Sequence, residues 1–66
     1  MNIMINGETK IFEDGKTLQY IIRSLEIEDK VMAAAVNMEI VKKDQWDEFT
    51  PNDNDKIELL QFVGGG

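Results

Sequence analysis

The 66-residue chain contains no cysteine, no histidine and a single proline, Pro51. Without cysteine there can be no disulfide, thiolate nucleophile or zinc–thiolate site, and without histidine the usual metal ligand and neutral-pH acid–base group is also missing. We therefore expect no metal site in this chain. Its length leaves room for one small core and not for a deep cleft, which is unfavourable for a stand-alone enzyme.

Positive charge is scarce, because 13 acidic residues stand against 7 basic ones and give a net charge of −6. This sign is unfavourable for binding nucleic acid phosphates or anionic lipid, and it favours a partner with a basic face. The longest apolar segment, residues 31–36, is far shorter than the roughly 20 residues of a membrane span. The N-terminus also lacks the pattern of a secretion signal. We expect a cytoplasmic protein with no nucleic acid and no membrane as partner.

The first half of the chain predicts a β-hairpin followed by a helix. A short apolar segment, residues 1–5, precedes Asn6 and Gly7, a pair typical of two-residue hairpin turns, so a second strand should run through residues 8–12. Thr17 is placed to cap a helix, since apolar residues follow it at positions i, i+3, i+4 and i+7. These residues are Leu18, Ile21, Ile22 and Leu25.

The segment after the helix predicts two further strands. Residues 31–36 are apolar at consecutive positions, which favours a strand buried on both faces, with a helix as the alternative. A tight turn at residues 37–39 leads into a short strand at residues 40–41. Residues 42–47 are polar around one aromatic side chain and are expected to form a 3₁₀ turn, with Trp46 at the edge of the core.

The last strand follows a clear turn at residues 51–55 and is predicted to span residues 56–63. Its side chains alternate between two faces, with Ile57, Leu59, Gln61 and Val63 on one and Glu58, Leu60 and Phe62 on the other. One helix must cover one face of a mixed sheet of about five strands, which makes the fold class α+β with a β-grasp arrangement. We therefore expect one domain, residues 1–63, followed by a flexible glycine tail, residues 64–66.

Three glycines, Gly64, Gly65 and Gly66, end the sequence. Glycine adds no side chain to packing and loses the most conformational entropy on ordering, so its use here favours a thin tail that can enter a narrow channel of another protein. The α-carboxylate of Gly66 can attack the α-phosphate of ATP if a partner supplies the nucleotide and Mg²⁺. A loose chain end or a cloning remnant is the alternative.

Leu60 and Phe62 are the candidate docking residues, because an exposed apolar pair beside such a tail is typical of a binding surface. The alternative is that nearby loops or Trp46 cover them. The acidic residues lie at predicted turns, where a solvated surface is a simpler interpretation than a catalytic pair. The turn at residues 53–55 resembles part of a calcium loop but lacks its glycine and distal glutamate.

Taken in order, these features resemble the ubiquitin-like sulfur carrier proteins over the whole chain, and most closely the ThiS family. The matching segments are an Asn-Gly turn, a Gly-Lys-Thr-Leu helix entry, a Val-Asn turn followed by Ile-Val and a tryptophan, an Asp-Asn-Asp-Lys-Ile turn and a Phe-Val-Gly-Gly-Gly ending. There are two departures from the family pattern. Asn54 stands where the family usually has glycine, and asparagine tolerates the left-handed conformation better than other non-glycine residues. Gly64 is an additional glycine ahead of the terminal pair.

The resemblance implies a cycle in which other proteins do the catalysis. A ThiF-like enzyme, holding ATP and Mg²⁺, would adenylate Gly66; a sulfurtransferase carrying a persulfide would convert it to a thiocarboxylate; a ThiG-like thiazole synthase would accept the sulfur for thiamin. Gly64, Gly65 and Gly66 would thread the partner's active site, while Leu60 and Phe62 hold the sheet against it. The chain itself would bind no cofactor. The alternatives are a MoaD-like small subunit of molybdopterin synthase, a ubiquitin-like protein modifier and a binding module that does not use the tail.

Overall fold

The computed structural model describes residues 1–61 as a mixed five-stranded sheet with one helix across one face. The sheet order is β2-β1-β5-β3-β4, with β1 and β5 parallel and the other neighbours antiparallel. The elements are β1 (Asn2–Ile5), β2 (Glu8–Ile11), helix α1 (Leu18–Ser24), a 3₁₀ turn (Glu28–Lys30), β3 (Val31–Val36), β4 (Glu39–Val41), a second 3₁₀ turn (Lys43–Gln45) and β5 (Lys56–Gln61). This is the predicted β-grasp architecture. The predicted end of the last strand at Val63 and the tail at residues 64–66 lie outside the described residues.

The hairpin of β1 and β2 turns at the predicted pair. Asn6 has φ 48° and Gly7 has φ 86°, so both residues occupy the left-handed region that asparagine and glycine tolerate best. The register pairs Ile5 with Glu8 across the turn. The sequence prediction of this hairpin is confirmed.

The N-terminus of α1 is capped by its own sequence and by a distant loop. Thr17 Oγ1 accepts a hydrogen bond from the Tyr20 amide at 3.1 Å, as the sequence predicts. The Leu18 amide donates to the Phe49 carbonyl at 2.8 Å and the Gln19 amide to the Trp46 carbonyl at 3.0 Å. These bonds satisfy amides that a helix leaves free at its start. Within residues 1–61, no helix is long and apolar enough to cross a membrane.

The core lies between α1 and the sheet and includes the tryptophan. Trp46 is fully buried, and its indole Nε1 donates a hydrogen bond to the Val41 carbonyl at 2.9 Å. The prediction that Trp46 lies at the edge of the core is therefore wrong. Because the ring N–H finds a backbone acceptor, full burial leaves no donor unpaired. The other buried apolar residues are Ile3, Ile5, Leu18, Ile21, Ile22, Val31, Ala34, Val36, Val41, Ile57 and Leu59.

Strand β3 is buried on one face rather than both. Ala34 and Val36 are buried against the helix side, while Ala33 and Ala35 are half-buried on the other face and Met32 is 60% exposed. The prediction of a doubly buried strand is wrong because α1 covers only one side of the sheet. In the described part of the chain, the opposite side, called the outer face below, carries no second layer of secondary structure.

Candidate functional site

Leu60 lies on the outer face of β5. Its neighbours Ile57 and Leu59 are buried, at 1% and 7% exposure, whereas Leu60 is 61% exposed. The predicted division of this strand into two faces is confirmed for residues 57–60. Trp46 lies in the core on the helix side and does not cover Leu60. Phe62, the second predicted docking residue, lies outside the described residues.

A shallow apolar depression adjoins Leu60. On the outer face Leu60 is paired with Ala33, and Ala35 lies between Glu58 on β5 and Ile40 on β4. The two small alanines form a floor, and the exposed side chains of Leu60 and Ile40 rise on either side of it. The depression has a volume of about 260 Å³. It can accept an apolar side chain of a partner, and we call Leu60, Ile40, Ala33 and Ala35 the docking patch.

Strand β5 carries two charged residues on the outer face. Lys56 and Glu58 alternate with the buried residues of the strand and are exposed on the outer face. The chain as a whole has a net charge of −6. These two charges are of opposite sign, so the preference for a partner with a basic face comes from the net charge of the whole chain.

Asn6 links the first hairpin to β5 through its side chain. Its Oδ1 accepts a hydrogen bond from the Leu59 amide at 2.8 Å, and its Nδ2 donates to the Leu59 carbonyl at 3.3 Å. The carboxamide therefore engages both backbone groups of the residue that precedes Leu60. Sequence analysis identified Asn6 only as a turn residue and missed this contact, which joins residues 53 positions apart.

Asn37 holds the opposite end of β5. Its Oδ1 accepts from the Lys56 amide at 3.0 Å, and its Nδ2 donates to Asp55 Oδ1 at 2.9 Å. The other oxygen of Asp55 accepts from the Asn52 amide at 2.8 Å. Asn54, with φ 69°, adopts the left-handed conformation that the sequence predicts for this position. The polar residues of this turn thus organise the backbone at the start of β5.

The predicted modified residue and tail, Gly66 with Gly64 and Gly65, lie outside the described residues. The structure describes the strand that leads to them as far as Gln61. That strand is central in the sheet, is bound by asparagine side chains at Lys56 and at Leu59, and presents Leu60 on its open face. The arrangement provides a docking surface directly before the predicted reactive end.

Known proteins resemble this chain in sequence and in fold. The ThiS family model matches residues 3–66 of this chain. A thiazole synthase of Paramagnetospirillum magneticum is 35% identical over 66 residues, which are 100% of this chain but only 20% of that protein. The sulfur carrier protein ThiS of Bacillus subtilis is 35% identical over 65 residues, covering 97% of this chain and 98% of the relative.

A solved structure gives the same result for the fold. The crystal structure of the thiamine biosynthesis protein ThiS from Geobacter metallireducens superimposes with a TM-score of 0.77, at 28% sequence identity and over 100% of both chains. Sequence, fold and full-length coverage therefore agree with the resemblance drawn from the motifs. The chain belongs to the ThiS family.

Proposed function

We propose that this protein carries sulfur for the thiazole ring of thiamin as a thiocarboxylate on Gly66. The carrier role is supported by the family match over residues 3–66 and by a full-length relative named as a sulfur carrier protein. The observation that carries the proposal is the position of β5, which presents Leu60 on the open face of the sheet and leads to Gly64, Gly65 and Gly66. The family match favours the thiazole pathway over molybdopterin synthase.

The first step is adenylation of the terminal carboxylate. A carboxylate oxygen of Gly66 attacks the α-phosphorus of ATP, a new P–O bond forms, and pyrophosphate leaves. The ATP and the Mg²⁺ that neutralises its phosphates belong to a ThiF-like partner enzyme, and this chain supplies the nucleophile. The product is an acyl-adenylate, which is reactive toward sulfur nucleophiles.

The second step installs sulfur. The terminal sulfur of a persulfide on a sulfurtransferase attacks the acyl carbon, and AMP leaves. A further thiol of that partner then attacks the sulfur–sulfur bond, which releases the thiocarboxylate of Gly66 and leaves a disulfide on the partner. A ThiG-like thiazole synthase accepts the sulfur. This last partner is supported by the thiazole synthase relative, in which 20% of the protein matches this chain.

In this cycle the chain is a co-substrate and a recognition surface, and it catalyses no step itself. The cycle takes place in the cytoplasm. Gly64, Gly65 and Gly66 enter the partner's active site, where the absence of side chains suits a narrow channel. Leu60, together with Phe62, holds the sheet against the partner, and the alanine floor of the docking patch receives an apolar side chain. The acidic net charge complements a basic border on the partner.

The test is release of pyrophosphate by a ThiF-like enzyme with ATP and increasing amounts of carrier. We expect release to depend on the carrier. Leu60→Ser should raise the KM for the carrier about tenfold or more, which corresponds to the loss of a central apolar contact of about 1.4 kcal/mol. Leu60 is 61% exposed, so the variant should melt within a few degrees of the wild type.

Ile11→Ser is the matched control for this prediction. Ile11 is 80% exposed and lies on the outer face, but on edge strand β2, with β1 between it and β5. Its replacement should change the KM less than twofold. Equal effects of the two substitutions would contradict the docking patch, and no carrier-dependent release by the wild type would contradict the proposed adenylation.

A further inference from the structure

We propose that Asn6 is a positioning residue for the reaction at the chain end. Its carboxamide holds the backbone of Leu59 on the side of β5 that faces β1, beyond Ile57, the last residue with which β1 pairs. It thereby fixes the backbone of β5 at Leu59, from which the chain continues toward Gly66. This inference rests on the proposed function and adds to it a residue that lies far from the tail in the sequence.

The carboxamide of Asn6 takes the place of a missing rung in the parallel pairing of β1 and β5. The Met4 amide donates to the Asp55 carbonyl and the Asn6 amide to the Ile57 carbonyl, both at 3.0 Å. Because hydrogen bonds in a parallel strand pair are evenly spaced, the next bond to β1 would involve Leu59. After its amide, however, the backbone of Asn6 turns away from β5, with φ 48°. Its side chain instead accepts from the Leu59 amide and donates to the Leu59 carbonyl.

Within residues 1–61, the backbone of β5 beyond Ile57 is paired on one side only. On the opposite flank it pairs with β3 from Ile57 to Gln61, and the register of that pairing is irregular between Val31 and Ala33. On the β1 side the described backbone pairs reach only Ile57. Among the described residues, removing the Asn6 carboxamide therefore leaves the backbone from Leu59 to Gln61 hydrogen-bonded to β3 alone, although the Leu59 side chain stays in the core.

The distance from this segment to the reactive group explains why its position matters. Residues 62–66 follow Gln61 and span at most about 18 Å when fully extended. A displacement of about 1 Å in a reacting group can lower a rate about 100-fold. Greater motion of the backbone at Leu59 therefore reduces the fraction of docked carriers whose carboxylate meets the α-phosphate. The expected consequence is a lower kcat at saturating carrier.

Asn37 provides a matched control within the same strand. It has φ 50°, its Oδ1 accepts from the Lys56 amide, and its own amide donates to the Lys56 carbonyl at 2.8 Å. The conformation and the type of contact are thus close to those of Asn6, but the contact lies at the first residue of β5. Replacing Asn37 should lower the free energy of unfolding without displacing the backbone at Leu59.

The experiment compares Asn6→Gly with Asn37→Gly, since glycine adopts both left-handed turns without strain. Pyrophosphate release by the ThiF-like enzyme is followed over a range of carrier concentrations, well below the melting temperature of each variant. We expect the kcat of Asn6→Gly to fall tenfold or more and that of Asn37→Gly to stay within twofold of the wild type. Simple destabilisation would lower the amount of folded carrier, which raises the apparent KM and leaves kcat unchanged.

A second readout does not depend on activity. Hydrogen exchange of the Leu59 amide should become faster in Asn6→Gly and remain unchanged in Asn37→Gly. A wild-type kcat in Asn6→Gly, or equal losses of kcat in both variants, would overturn the positioning role while leaving the proposed function intact. An inactive wild type would contradict the proposed function, and with it this inference.

Discussion

A chain shortened to end at Gly64 is expected to fold like the wild type and to form no adenylate. The shortened chain keeps every buried core residue of the described part of the chain and removes only Gly65 and Gly66, so the melting temperature should stay within a few degrees of the wild-type value. The terminal carboxylate would stand two residues, up to about 7 Å, short of its normal reach. Because nucleophile placement within fractions of an ångström governs the rate, pyrophosphate release should fall below detection.

The full-length variant Gly65→Val separates the length of the tail from its shape. It keeps the carboxylate at the normal reach but adds a β-branched side chain beside it. If the partner's channel is shaped for glycine, this variant should also fold normally and release no pyrophosphate. Adenylation of the shortened chain at the wild-type rate would show that the Gly66 carboxylate is not the reactive group, and adenylation of Gly65→Val at that rate would show that the partner's channel does not require glycine.

Replacing Trp46 with alanine is expected to unfold the domain. Trp46 is fully buried, and its backbone carbonyl also accepts the hydrogen bond from the Gln19 amide at the start of α1. Removing a buried tryptophan side chain lowers the free energy of unfolding by about 3–5 kcal/mol. A 66-residue domain has a total free energy of unfolding of only about 3–10 kcal/mol at the usual value per residue. Thermal and urea unfolding followed by circular dichroism measure this loss.

Trp46→Phe is the milder variant for the same position. It keeps an aromatic ring in the core but removes the N–H donor of the bond to the Val41 carbonyl, measured at 2.9 Å. A buried carbonyl that loses its partner lowers the free energy of unfolding by about 1–3 kcal/mol. We therefore expect a folded protein with a lower melting temperature. A Trp46→Ala variant that melts close to the wild type would contradict the central place of this residue in the core.

The parts of the fold that sequence predicted well depend on local patterns. The turn at Asn6 and Gly7, the helix start at Thr17 and the two faces of residues 57–60 follow from conformational preference and period, and the structure confirms all three. The mixed sheet with one helix across one face was predicted from the apolar stripe that a single helix must bury against the strands, and the structure confirms it.

The parts that sequence did not predict depend on contacts between distant segments. The depth of Trp46 in the core depends on the Val41 carbonyl and on the meeting of its loop with α1. The one-sided burial of β3 depends on which face the helix covers, and a run of apolar residues does not encode that choice. The pairing of Asn6 with Leu59 depends on the end of β1 lying beside β5. None of these contacts has a signature within a short window of sequence.

Gly66 is the proposed site at which sulfur is carried, and intact-mass measurement tests this most directly. The chain is incubated with ATP, Mg²⁺, a ThiF-like enzyme and a persulfide-loaded sulfurtransferase, and a parallel sample omits ATP. We expect the mass to rise by the difference between one sulfur and one oxygen atom only when ATP is present, with the change located at Gly66. Thiazole synthase and its substrates should then return the mass to its original value. An unchanged mass with active partner enzymes, or adducts formed on lysines of other proteins instead, would contradict the account.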